Sequence, residues 1–219
     1  MKIIKPYFEI LTPLDGKEIL KSIERIGRVC YKSENRIDEE SAEKFIKNLL
    51  SRGHESVIEH ISVTVKVICD RGVSHEIVRH RIASYSQEST RYCNYALGKF
   101  GNELTVIHPC FWNESDERYQ IWLKSMQIVE QAYLDLISQG ASPQEARSVL
   151  PNSLKTEIVM TMNLREWRHF FRLRADSHAH PQMQEIATLM LTEFHRQIPV
   201  LFEDLWIEKK EQFGDNLVK

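Results

Sequence analysis

The chain of 219 residues holds no apolar run of membrane-spanning length, and Met1–Leu14 mixes charged and apolar side chains without the hydrophobic core of a signal peptide. A cytoplasmic protein with no membrane association is the expectation. Cysteine is sparse: Cys30, Cys69, Cys93 and Cys110 fall at no C-x-x-C spacing and are too few for a disulfide scaffold, so they are expected to be reduced and structural. Glycine is scarce as well, with 8 in the chain, and forms neither a P-loop nor a G-x-G-x-x-G turn. Any phosphate must therefore be held by side chains. The G-x-S-x-G elbow is missing and no cysteine stands in an activating context, which argues against a covalent protein nucleophile. H-E-x-x-H is missing too. His54 and His60 flank Glu55 and Glu59, and His178 and His180 follow Asp176, but the spacing is not that of a metal helix, so no metal is expected. Neither sign of charge dominates, with 29 Lys and Arg against 31 Asp and Glu, so there is no global pull toward nucleic acid.

What the chain does hold is a composition of 42% hydrophobic and 27% charged residues, which is that of a folded protein. It shows no repeat, low-complexity tract or Gly/Ser linker, and one domain over 1–219 is the simplest account. Its densest cluster of anion-binding groups is the segment 79–91, where Arg79, His80, Arg81 and Arg91 stand among hydroxyl side chains including Ser89 and Thr90. Guanidinium forks bind phosphate oxygens bidentately, and hydroxyls complete the oxygen shell. Arg147 and a second cluster, Arg165, Arg168, Arg172 and Arg174, add to the supply. Arg174 lies at helical spacing from Trp167, Phe170 and Phe171, so its guanidinium is expected beside an aromatic, partly dry surface.

Periodicity places these residues on elements. Ile61, Val63, Val65, Val67 and Cys69 alternate as one face of a half-buried strand. Val73, Ile77, Val78 and Ile82 then follow helical spacing, which puts Glu76, Arg79 and His80 together on another face of that helix. Leu154, Thr156, Ile158, Met160 and Met162 form a second alternating strand that ends at Asn163, an N-cap with Glu166 in capping-box position. Ser142-Pro143-Gln144-Glu145 starts a helix that carries Arg147 and stops at Pro151. Further helices are expected over about 15 to 30, 38 to 52 and 114 to 139, the last closed by Gly140, with a long run from about 182 interrupted near Pro199.

The order Arg79-His80-Arg81, seven residues, then Ser89 and Arg91 resembles the signature of the flavin-dependent thymidylate synthases. Three further segments are similar in the same order: His54-Glu55-Ser56 with Glu59-His60, Ala146-Arg147 with Leu150-Pro151, and Asn163-Leu164-Arg165 followed by Leu173 to Ala179. The resemblance implies an α+β fold, a single domain with a small mostly antiparallel sheet surrounded by helices. It implies conversion of dUMP to dTMP, with one carbon from methylenetetrahydrofolate and a hydride from reduced FAD that NADPH regenerates. It also implies a homotetramer with shared active sites. Carried over by position, Ser56, Arg79, His80, Arg81, Gln87, Asn163, Leu164, Arg165 and His169 would contact FAD. Glu76, Arg79, Gln87, Glu88, Ser89, Thr90, Arg91, Arg147 and Arg174 would contact dUMP, with Arg174 as the catalytic group. The chain departs from the family pattern at Glu76, Gln87, His169 and His180-Pro181. Two other readings compete: a nucleic-acid module, from arginines interleaved with Tyr85, Tyr92 and Tyr95, and a metal phosphohydrolase. Neither accounts for the four ordered segments.

Overall fold

A computed structural model describes residues 1–213. In chain order the elements are β1 (Lys2–Ile4), β2 (Tyr7–Ile10), α1 (Gly16–Val29), α2 (Ser41–Ser51), β3 (Ser62–Asp70), α3 (Arg71–Ile77), β4 (Ser84–Gln87), β5 (Thr105–Ile107), α4 (Glu117–Ser138), α5 (Pro143–Ala146), β6 (Lys155–Asn163), α6 (Leu164–Arg174), α7 (Pro181–Gln197) and α8 (Pro199–Phe213). Four strands make a sheet in the order β2-β3-β6-β4. Thr64 meets Thr161 through their hydroxyls at 2.9 Å, while the Arg71 amide donates to Leu154 O at 3.1 Å. As β3 advances β6 recedes, so this central pair is antiparallel. In β6 the buried residues are Thr156, Ile158, Met160 and Met162, as their alternation predicts. A second sheet pairs β1 with β5 in parallel, Ile3 opposite Val106. Strands of 3 residues are too short to show a period, and the sequence gives no sign of them.

The chain folds as two compact units: one holds Met1–Phe8, Lys66–Arg79 and Tyr85–Val159, the other Glu9–Val65, His80–Ser84 and the chain from Met160 on. In the first, Tyr95, Leu104, Tyr133, Ala146 and Leu154 form a buried cluster, and the Tyr95 amide donates to the Tyr133 hydroxyl at 3.3 Å. In the second, the fully buried rings of Trp167, Phe170 and Phe171 on α6 pack with Phe194 on α7 and Phe202 on α8. Burying such rings is the largest apolar contribution in this unit, and the Trp167 indole N–H is satisfied by Val63 O at 3.1 Å.

Two expectations are corrected. The helix carrying Val73 and Ile77 stops at Ile77, leaving Val78 and Ile82 39% and 69% exposed, so Glu76, Arg79 and His80 do not share a helical face. The Tyr85 hydroxyl donates to the Ile77 carbonyl at 2.9 Å, satisfying a helix-end acceptor that another turn would have used. Asn163 does cap α6, its Oδ1 accepting from the Glu166 amide at 2.9 Å, but Glu166 does not return the bond; its carboxylate goes to His80. The box at Ser142 and Glu145 is complete, and α4 ends before Gly140, whose φ of +89° suits glycine.

Gly16 opens α1 against the last residue of α7: a Cβ there would sit 2.2 Å from Gln197 O, a backbone atom with little freedom to give. Gly16→Ala is expected to destabilise the protein by about 1–3 kcal/mol, since overpacking outweighs the helix propensity of alanine. A lower urea midpoint at unchanged slope would register it. An unshifted midpoint would refute the close approach.

Candidate active site

The second unit brings three polar side chains into one hydrogen-bonded chain. Helix α6 starts where β6 ends, so Glu166 stands in its first turn and Arg174 at its last residue. His80 arrives from a segment 86 positions upstream of Glu166 and is 4% exposed, its ring 5.0 Å from that of Phe170. Arg174 Nε donates to His80 Nε2 at 3.1 Å, and His80 Nδ1 lies 3.0 Å from Glu166 Oε1. An arginine nitrogen can only donate, so Nε2 must accept, and the imidazole proton sits on Nδ1 and is donated to Glu166. Burial pushes the His80 pKa below the ordinary imidazole value and the Arg174 charge acts in the same direction, while the Glu166 hydrogen bond opposes them without prevailing. The ring is thus neutral. Ligand-type atoms of His80, Glu166 and His169 lie within 4.8 Å of one another, but with a proton on Nδ1 and a guanidinium on Nε2 the group is a hydrogen-bond relay, not a set of open metal ligands.

Beside this relay is a recess of about 500 Å³, lined among others by Glu55, Glu59, Ile82, Asn163, Arg165 and His169. Glu59 pairs with Arg165, and Glu55 lies 3.2 Å from Arg168 Nε and 3.7 Å from Arg165 Nε, so the recess carries little uncompensated negative charge. Exposed Arg165, Arg172 and His169 with the exposed aliphatic side chain of Ile82 can take up a ligand that joins phosphate to a flat ring system. Ser56 is exposed at the start of the 3-10 turn Ser56–His60, Arg81 is exposed, and Leu164 is buried. Glu55 and Glu59, weighed in the sequence as possible metal ligands, are instead partners of arginines, and His178 bonds Asp176 at 2.7 Å.

The first unit holds most of the residues assigned to nucleotide contact. Gln87 Nε2 donates to Ser74 Oγ at 2.9 Å and to Thr156 Oγ1 at 3.2 Å, which fixes its amide. Glu88 is engaged by the Tyr95 hydroxyl at 2.8 Å and by Lys155 at 2.9 Å. Burial, with the Glu88 charge and hydrogen bond adding to it, raises the Tyr95 pKa, so the phenol stays protonated and donates. Ser89 O accepts from the amides of Tyr92 and Cys93 at 3.1 and 3.0 Å, a turn that buries Thr90 and leaves the Arg91 guanidinium exposed 5.5 Å from the Tyr92 ring. Glu76 is half-buried, and Arg79 and Arg147 are exposed. Sequence reasoning missed Ser74, Tyr95 and Lys155 as supports, and read Glu166 as a cap alone. No periodic or capping pattern marks them, because the partners that engage them, such as Glu88 for Tyr95 and Lys155 and Gln87 for Ser74, lie outside their own elements.

The second arginine cluster divides by burial. Arg168 is 3% exposed, reaches the Leu201 carbonyl and holds Asp204 at 2.8 and 2.6 Å, a structural role; Arg174 is half-buried at the relay.

Residues 14–200 match the sequence model of the family described as thymidylate synthase complementing protein. A flavin-dependent thymidylate synthase from Pyrococcus furiosus is 39% identical over 172 residues, covering 78% of this chain and 70% of that one. One from Geobacter sulfurreducens is 35% identical over 185 residues, covering 81% and 78%. Among solved structures, a UMP/dUMP methylase PolB from Streptomyces cacaoi bound with 5-Br dUMP superposes with a TM-score of 0.74 over 98% of both chains at 24% identity, a likeness of fold.

Proposed function

The chain belongs to the flavin-dependent thymidylate synthase family, and from that premise we propose that it methylates dUMP to dTMP, with methylenetetrahydrofolate as carbon donor and NADPH as the source of reducing equivalents. When bound, reduced FAD supplies the hydride that completes the methyl group. Arg165 and His169, with Ser56, Arg81, Asn163, Leu164 and the segment at His80, would hold the cofactor in the second unit, and the family resemblance assigns Arg79 and Gln87 of the first unit to it as well. The recess fits it in kind, since its cations are exposed and its carboxylates already paired. Ser89, Thr90, Arg91 and Arg147 take the nucleotide phosphate, with Glu76, Arg79, Gln87 and Glu88 beside them.

Arg174 is the catalytic group. Uracil must gain electron density at C5 before it can attack the one-carbon unit, and a guanidinium at the N3 and O2 edge stabilises the negative charge that develops there. The observation that carries this reading is the relay itself: Arg174 Nε donates to a neutral, buried imidazole, which orients the guanidinium. No protein nucleophile is required, in keeping with Cys69, whose thiol burial pushes up and keeps protonated.

Residues 1–219 act as one domain in this reading, supported by a family match that runs through both units. The working form in this reading is a cytoplasmic homotetramer, as the family resemblance implies; Ile121 and Ile128 on α4, 60% and 70% exposed, leave apolar surface for a subunit contact. No described helix is long and apolar enough to cross a membrane.

The visible spectrum of the purified protein tests the proposal. Oxidised flavin absorption that bleaches with NADPH and returns on adding dUMP and methylenetetrahydrofolate, with dTMP formed, is the expected result. A colourless protein that also fails to take up added FAD would sink it.

A further inference from the structure

We infer that Glu166 and His80 are positioning residues for Arg174, and that they act by fixing a tautomer. The inference rests on the catalytic reading of Arg174. A neutral imidazole carries one proton on either of two nitrogens, and only one choice is compatible with this site. With the proton on Nδ1, His80 donates to Glu166 at 3.0 Å and offers the Nε2 lone pair to Arg174 Nε–H at 3.1 Å. With the proton on Nε2, that N–H would oppose the guanidinium N–H, donor against donor, and Glu166 Oε1 would face a lone pair. His80 is 4% exposed and Glu166 8%, so water has little access to repair either mismatch. Glu166 therefore selects the tautomer, and the tautomer sets the orientation of the guanidinium.

The cap at Asn163 makes this arrangement possible. In a reciprocal capping box the glutamate side chain is spent on the cap's own amide. Here Asn163 Oδ1 receives the Glu166 amide while the Glu166 carboxylate is turned inward to His80. Phe170 and His169 flank the imidazole at 5.0 and 5.6 Å between ring centroids and limit its rotation. A group that orients the acting residue through a hydrogen bond is often worth 10–100-fold in activity, about the same as a displacement of the acting group by an ångström.

The test compares Glu166→Gln with Glu166→Leu in the FAD-loaded enzyme. The glutamine keeps an acceptor oxygen for Nδ1–H and is expected to retain kcat within about threefold, the scale of one neutral hydrogen bond. The leucine has no acceptor and is expected to lose about 10²-fold in kcat, with the KM for dUMP and the bound flavin nearly unchanged. Equal turnover of the two Glu166 variants overturns the inference, as does failure of Glu166→Leu to fold with flavin, which would make the relay purely structural. Combining Glu166→Leu with Arg174→Ala should cost no more than Arg174→Ala alone. Normal turnover in Arg174→Ala would sink the parent reading; a dead Arg174→Ala beside equal Glu166 variants sinks only the positioning role.

Discussion

Arg174→Ala is expected to yield a folded, flavin-bearing protein that makes dTMP about 10²–10³-fold more slowly, the loss typical of removing one preorganised donor from a developing anion. The drop should fall on kcat and on kcat/KM together, because the charge that Arg174 stabilises is larger in the transition state than in bound dUMP. Folding should survive, since Arg174 is half-buried at the end of α6 while Trp167, Phe170 and Phe171 carry the core of that helix. Steady-state dTMP formation read beside the flavin absorbance separates the outcomes. Turnover near that of the parent protein would refute the role, and loss of flavin would move Arg174 from chemistry to cofactor binding. Arg174→Lys should recover only part of the activity, because an ammonium cannot reproduce the planar fork that His80 fixes at Nε.

Arg168→Ala is expected to destabilise the protein by about 3 kcal/mol, with activity falling only as folded protein is lost. That figure is the low end of the range for breaking a buried pair, chosen because the Asp204 side chain is 59% exposed and water can take over part of its solvation. Arg168 itself is 3% exposed, holds Asp204 through two contacts, reaches the Leu201 carbonyl and meets Glu55. Its loss leaves an acceptor on α8 and a carboxylate beside the Ser56–His60 turn without their donor. The pH dependence gives an independent sign. Burial works to raise the pKa of Asp204, and the Arg168 hydrogen bond and charge overcome it, so the folded value lies below the ordinary one. A depressed carboxylate contributes stability that is present above its unfolded pKa and is lost as pH falls through the folded value. Arg168→Ala should therefore flatten the acid limb of stability below the ordinary carboxylate range. Urea unfolding at neutral and acid pH checks both; a midpoint matching the parent at both pH values would show the network to be idle.

The two arginines show where sequence reasoning stops. Both sit on α6 in one basic run, and Arg174 there meets the buried His80 ring that packs on Phe170. Nothing local distinguishes Arg168 as the structural one, because its partners come from α8 and from the turn at Glu55. The strands β3 and β6 were legible because burial on one face imposes a period of two, whereas β1 and β5 were too short to carry one. The end of α3 was misplaced because Val78 and Ile82 keep helical spacing while lying exposed, and the stop is made by Tyr85 from outside the helix.

The sequence by itself determined the class of elements, the lack of a glycine-rich phosphate loop and the ordered motifs shared with the family. Those follow from local periodicity, capping and the scarcity of glycine, all of which act within a few residues. Only the tertiary structure decided that Glu166 turns from its helix cap to His80, that His80 carries its proton on Nδ1, and that Arg168 is tied to Asp204 and Leu201 while Arg174 meets His80. The reason is that a hydrogen bond between residues 94 positions apart, as between His80 and Arg174, exists only after folding has removed water from both partners.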